Sequence, residues 1–357
     1  MKKRLLVTLL VFIMAFTAVA CTTANVGNEV EKVDENLLEE SPDKNRDEEI
    51  ISVVDHLGRT VTIEKEAERI VSGYYIPTSA LIALGLQDRV VGIEAKADER
   101  PIYSLAAPEL LDLPNVGTAK EFDLEGCISL EPDLVILPIR LKDQIETLES
   151  MGITVIGVNP ENQELLSEMI AMIGKLTGAE NYEKLLDYYK EKDNQLKSIH
   201  ADIENKPTVY LAGNGSFLST ATKNMYQNDL IEIAGGINVA GDIEDSYWVD
   251  ISYEQLVEYN PEYIIIAPEA KYTKEDVLND SNLKGITAIE KGNVFSMPDE
   301  FEAWDSPVPS SILGKMWLTS ILYEDEYPYD KFVDEVYDFY KEFYGIEIDK
   351  GVLEVND

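Results

Sequence analysis

The chain predicts an α/β fold in two lobes, and three observations carry that reading. Short β-rich runs alternate with helical segments in both halves, as in parallel α/β units. A long helical stretch with no evident strand separates the halves. The length, 357 residues, exceeds one average domain and suits two.

The elements follow in order. Lys2, Lys3 and Arg4 precede an apolar run from Leu5 to Phe16 and the small residues Ala18-Val19-Ala20. That run is shorter than the roughly 20 apolar residues of a spanning helix, so residues 1–20 are expected to be a cleaved secretion signal. The Ala18-Val19-Ala20-Cys21 junction resembles a bacterial lipobox, which implies lipidation at Cys21; the other reading is an ordinary signal with Cys21 incidental. Residues 21–49 are rich in Glu, Asp, Asn and Lys and poor in large apolar groups, the composition of a flexible acidic tether.

The folded body begins with a hairpin, Ile51 to Asp55 and His56 to Ile63 around a Gly-containing turn. Arg69 to Gly73 is a strand, Thr78 to Leu84 a helix closed by Gly85, and Val90 to Ile93 a strand. Leu134 to Leu137 is a buried strand, Leu141 to Met151 a helix closed by Gly152, and Thr154 to Val158 a strand. Leu165, Leu166, Met169, Ile170, Ile173 and Leu176 then recur at helical spacing, continued past Gly178 by Tyr182, Leu185, Leu186 and Tyr189. A helix from Gln163 to Leu176 is about 20 Å long and could act as a strut between lobes. Strands return at Thr208 to Ala212, Tyr263 to Ala267 and Asn293 to Met297, and an amphipathic helix from Tyr329 to Tyr344 closes the chain. The divisions expected are a first lobe at 50–160, an interlobe helical segment at 161–200 and a second lobe at 201–350.

Composition narrows the function. A formal charge of −38, more negative once the basic leader is lost, repels nucleic acid and anionic lipid. With Cys21 lipidated, Cys127 alone remains and no intrachain disulfide can form. His56 and His200 are too few for a multi-histidine metal cage, and nothing calls for a cofactor. No phosphate loop, dinucleotide fingerprint, nucleophile elbow or zinc-protease motif is present, so an extracellular enzyme would lack an identifiable catalytic set.

In open α/β sheets ligands collect beyond the carboxyl ends of strands. That rule selects Tyr74 and Tyr75, Lys96, Thr118, Lys120 and Arg140 from the first half. From the second it selects Asn214, Ser216, Tyr247, Trp248, Phe301, Trp304 and Asp305, with Trp304 foremost because a tryptophan in a polar loop is otherwise hard to place. Aromatic faces with a few cations and amides suit a bulky, partly anionic ligand or metal chelate.

Several segments resemble the binding-protein family of iron–siderophore, haem and cobalamin ABC importers, class III with a single-helix hinge. They are Val54 to Val61, Ala83 to Ile93, Leu130 to Ile136, Asp229 to Val239 and Trp304-Asp305-Ser306-Pro307 with Leu313-Gly314 and Trp317-Leu318. The resemblance spans nearly all of residues 51 to 345. It implies two Rossmann-like lobes joined by one long rigid helix, a ligand cleft between them, no enzymatic step, and a monomer that delivers its ligand to a permease and its ATPase. It also implies that Glu125 and Glu232 meet the permease. Where haem carriers place a tyrosine this chain has Thr118, and where cobalamin carriers place tryptophans it has Ala119 and Pro138, so a ferric siderophore is the first expectation, with cobalamin and haem kept among the alternatives. Molybdate or tungstate is the second, served by Arg140, Lys96 and Lys120.

Overall fold

The computed structural model describes residues 50–244 and 247–353. The expectations placed on 1–20, on Cys21 and on the tether at 21–49 lie outside the described residues.

The body opens on an antiparallel hairpin, β1 (Ile51–Val54) and β2 (Thr60–Ile63). Gly58 takes the left-handed conformation its turn requires, φ +74°, and the Asp55 carboxylate accepts the amides of Leu57 and Arg59, both at 3.0 Å. Four strands follow: β3 (Ile70–Ser72), β4 (Val90–Gly92), β5 (Leu134–Pro138) and β6 (Val155–Val158). They form one parallel sheet in the order β4-β3-β5-β6. β5 is buried along its whole length, as a strand covered on both faces must be. Helices α1 (Tyr75–Ala83), α2 (Pro101–Ala106), α3 (Leu124–Ser129) and α4 (Lys142–Ser150) belong to the same half. α1 begins three residues before the expected Thr78, because Pro77 falls in its first turn, where the missing N–H has no partner to lose.

The segment expected to join the lobes holds two helices, α5 (Gln163–Thr177) and α6 (Tyr182–Ile199). Asn162 caps α5 by accepting the Leu165 amide at 2.9 Å. Gly178 ends it at φ +67°, where a Cβ would collide with the Glu66 carboxyl.

The second half carries β7 (Thr208–Ala212), β8 (Ser219–Ala221), β9 (Ile237–Asn238), β10 (Trp248–Asp250), β11 (Tyr263–Ile266) and β12 (Val294–Ser296). Its helices are α7 (Tyr226–Ile233), α8 (Tyr253–Tyr259), α9 (Lys274–Asn279), α10 (Thr287–Lys291), α11 (Ser311–Leu322) and α12 (Tyr329–Phe339). β9, β7, β11 and β12 run parallel in that order, while β8 and β10 extend the β7 edge in the antiparallel sense.

The two parallel sets share one topology. In each, the first strand of the chain is central, the second lies on one side and the third and fourth on the other. The connections therefore reverse direction between β3 and β5 and again between β7 and β11, leaving a crevice at the carboxyl ends of each pair. Beneath them one apolar core is continuous, from Ile70 and Ile136 through Met169 and Ile173 of α5 to Leu211, Ile265 and Met316. Polar ties cross it as well. The Ile102 amide donates to the Phe301 carbonyl at 3.2 Å, and the buried Lys315 of α11 donates to Gln163 at 2.8 Å and Asp193 at 3.2 Å. Two lobes thus stand on a shared floor.

Candidate functional site

Between the lobes lies a cleft of about 760 Å³, and both topological reversals open into it. Tyr74 and Tyr75 follow β3, Arg140 follows β5, Asn214 follows β7, and Ala267 to Glu269 follow β11. The amino end of α7 adds Tyr226 and Gln227, Tyr247 and the first residue of β10, Trp248, are added beside them, and the loop before α11 adds Asp305, Ser306 and Pro307.

The first lobe builds an aromatic and cationic wall. The rings of Tyr74 and Tyr75 meet edge to face at 6.2 Å, and the Arg100 guanidinium sits 4.2 Å above the Tyr75 ring. Burial pushes both phenols above their ordinary range, which keeps them neutral. Arg140 is exposed and makes no hydrogen bond or salt bridge with any described residue. On the second lobe Trp248 lies against Gly213, where an added Cβ would come within 2.9 Å of its ring; the glycine is what allows the indole to fold over the strand end. Asp305 is buried, its Oδ2 accepts from the Gln227 side-chain amide at 3.3 Å, and desolvation pushes its carboxyl up to about 6. Glu269 holds a positive φ of 59°, a costly conformation for a residue with a side chain, and it occurs at the edge of the cleft. Among the described residues no group of three or more His, Cys, Asp or Glu side chains could hold a metal ion.

Of the residues selected from sequence, Tyr74, Tyr75, Arg140, Asn214, Tyr247, Trp248 and Asp305 converge on this cleft. The others do not. Trp304 is only 1% exposed: its Nε1 donates to the Tyr340 hydroxyl at 3.0 Å and its ring packs edge-on to Phe332, so it is a core wedge facing away from the cleft. Phe301 is likewise buried, its ring 4.9 Å from that of Tyr340. Lys96 follows β4, an outer strand, and pairs with Glu99 at 3.1 Å. Thr118 spends its hydroxyl on a local turn, accepting the amides of Lys120 and Glu121, and Lys120 is exposed on that turn. Ser216 is exposed in the β7–β8 loop, where it accepts the Leu218 amide. Arg100, Gln227 and Glu269 were not selected. Arg100 is four residues past Lys96 in the same loop, and only the fold decides which of the two cations turns inward.

Glu125 and Glu232 are both exposed, one in the first turn of α3 beyond the Asp123 cap and the other on α7, where it accepts from Asn228 at 2.9 Å.

Two α/β lobes on a shared floor around an aromatic cleft define a solute-binding protein. The family model described as Periplasmic binding protein matches residues 70–301, and the chain belongs to that family. It is 24% identical over 319 residues to the molybdate-binding protein MolA of Haemophilus influenzae, covering 82% of this chain and 90% of that protein. It is 27% identical over 289 residues to the uncharacterized ABC transporter substrate-binding lipoprotein YvrC of Bacillus subtilis, covering 78% and 87%. A solved periplasmic solute binding protein from Veillonella parvula superposes with a TM-score of 0.75 at 24% identity over 85% of this chain and 95% of that one.

Proposed function

We propose that this chain captures a bulky metal chelate, a ferric siderophore first among them, and delivers it to an ABC permease while anchored through a lipid on Cys21. The observation that carries the ligand reading is the cleft. Its 760 Å³ lies within the roughly 300–1,000 Å³ of sites for sizeable organic ligands, and it combines aromatic faces with two arginines, neither in a salt bridge with a described residue. Tyr74, Tyr75, Arg140, Asn214, Tyr247, Trp248 and Asp305 are the proposed contacts. Molybdate or tungstate is the second reading, favoured by the likeness to MolA.

Tryptophan fluorescence titration against ferric chelates, haem, cobalamin and molybdate separates these, with Trp248 as reporter. Arg140→Ala should weaken a bulky anionic chelate by about fivefold to 150-fold, the equivalent of about 1–3 kcal/mol. Saturation by molybdate alone would replace the chelate by the oxyanion. Glu125 and Glu232 are proposed to meet the permease: replacing both by Ala should leave affinity unchanged and reduce uptake, since exposed rim charges act on the partner. Undiminished uptake would sink that assignment. An exported Cys21→Ala variant should leave the membrane fraction.

A further inference from the structure

Among the described residues five acidic or basic side chains line the cleft, and none of them is in a salt bridge with another described residue. Arg100 acts electrostatically on the buried Glu94 and Glu302 behind the cleft wall, while its guanidinium faces the Tyr75 ring; what matters for the ligand is where the charges of each sign lie. Their placement follows the lobes. Arg100 and Arg140 both come from the first lobe, Glu269 and Asp305 both from the second, and Glu161 stands at the crossover into α5. Among the described residues the second lobe contributes no lysine, arginine or histidine to the lining.

Gln227 sharpens this polarity. It is 5% exposed, and because an ionised Asp305 can only accept, its side-chain NH₂ must be the group turned to that carboxylate. Its Oε1 is then left buried with no hydrogen-bond partner among the described residues. A buried acceptor without a donor costs about 1–3 kcal/mol, and a buried carboxylate without a cation costs more. On the second-lobe side the described residues therefore offer acceptors and supply no cation to meet them.

We infer that the ligand is two-faced, presenting oxygen acceptors, anionic or neutral, to Arg100 and Arg140 and a cationic or N–H donor group to Asp305, Glu269 and Gln227. The inference rests on the chelate reading and narrows it. A chelate that is anionic all round would bring negative charge against the second-lobe acids, and like charges in a desolvated site repel strongly. A small oxyanion would satisfy the arginines and leave the opposite wall unpaired.

The test uses two forms of one ferric trihydroxamate, ferrioxamine B with its free terminal ammonium and its N-acetyl derivative, which keeps the hydroxamate oxygens and loses the charge. Titrated into the full chain, the ammonium form should bind at least tenfold more tightly. In an Asp305→Asn/Glu269→Gln double variant the ratio should fall to about one, whereas Arg140→Ala should weaken both forms and preserve it. Equal binding of the two forms by the unaltered protein overturns the inference and leaves the chelate reading standing. Failure of both forms to bind overturns it as well, and the chelate reading falls with it only if the other ferric chelates also fail.

Discussion

Asp305→Asn should make the protein more stable at neutral pH. Burial raises the Asp305 carboxyl from its ordinary 3.8 to about 6, the Gln227 amide offsetting only part of the desolvation. Between those two values the folded chain holds a proton that the unfolded chain has released, so this group's contribution to stability falls as pH rises through the window. At about 1.4 kcal/mol for each tenfold change in proton affinity, the ionised side chain costs the fold about 3 kcal/mol above pH 7. Asparagine removes the charge, keeps the shape and still accepts from Gln227. Thermal melting across pH 4 to 8 reads the difference. At roughly 2–4 °C per kcal/mol, the variant should melt about 6–12 °C above the parent at pH 7.5 and close to it at pH 4. A constant offset across the range would refute the reasoning, because it would mean the gain has nothing to do with the charge.

Other outcomes follow from the packing. Trp304→Ala should destabilise by about 3–5 kcal/mol in urea titration, while Trp304→Phe, once folded, should bind ligand as the parent does; a large loss of affinity in the phenylalanine variant would return Trp304 to the cleft. Lys315→Met leaves Asp193 without its cation and should cost about 3–5 kcal/mol, with Asp193→Asn in the same chain recovering part of it. Burial pushes the Cys127 thiol up to about 12, so at pH 8 it should react with iodoacetamide only as fast as the fold opens. Labelling of the native protein at the rate of a free thiol would contradict its burial.

Much of the body is legible in the chain because its periodic elements are strongly patterned. The stripe through Leu166, Met169, Ile170 and Ile173, ended by Gly178, can only be an amphipathic helix, and all four side chains are buried. β5 and β11 read as strands from their unbroken apolar runs, and the closing helix expected over Tyr329 to Tyr344 is α-helical to Phe339, with Phe332, Val336 and Phe339 buried, and then turns π-helical. β8 and β9 escaped because Ser219-Thr220-Ala221 and Ile237-Asn238 carry no run of large apolar residues, and β10 escaped with them. α11 left no face to detect because ten of its residues are buried on all sides.

The cleft divides along the same line. That ligands gather at strand ends is a local rule, and it finds Tyr74, Arg140 and Asn214 from the residues following β3, β5 and β7. Which strand ends matter depends on strand order, and that order is made by hydrogen bonds between segments far apart in the chain. β3 pairs with β5 and β7 with β11, so Tyr74, Arg140 and Asn214 share a cavity, while β4 lies at the edge and carries Lys96 away from it. Within a loop the decision is finer still. Trp304 and Asp305 are neighbours in sequence, yet the packing of Phe332 and Tyr340 takes the indole into the core and leaves the carboxylate at the cleft, an outcome set by tertiary contacts that no local pattern encodes.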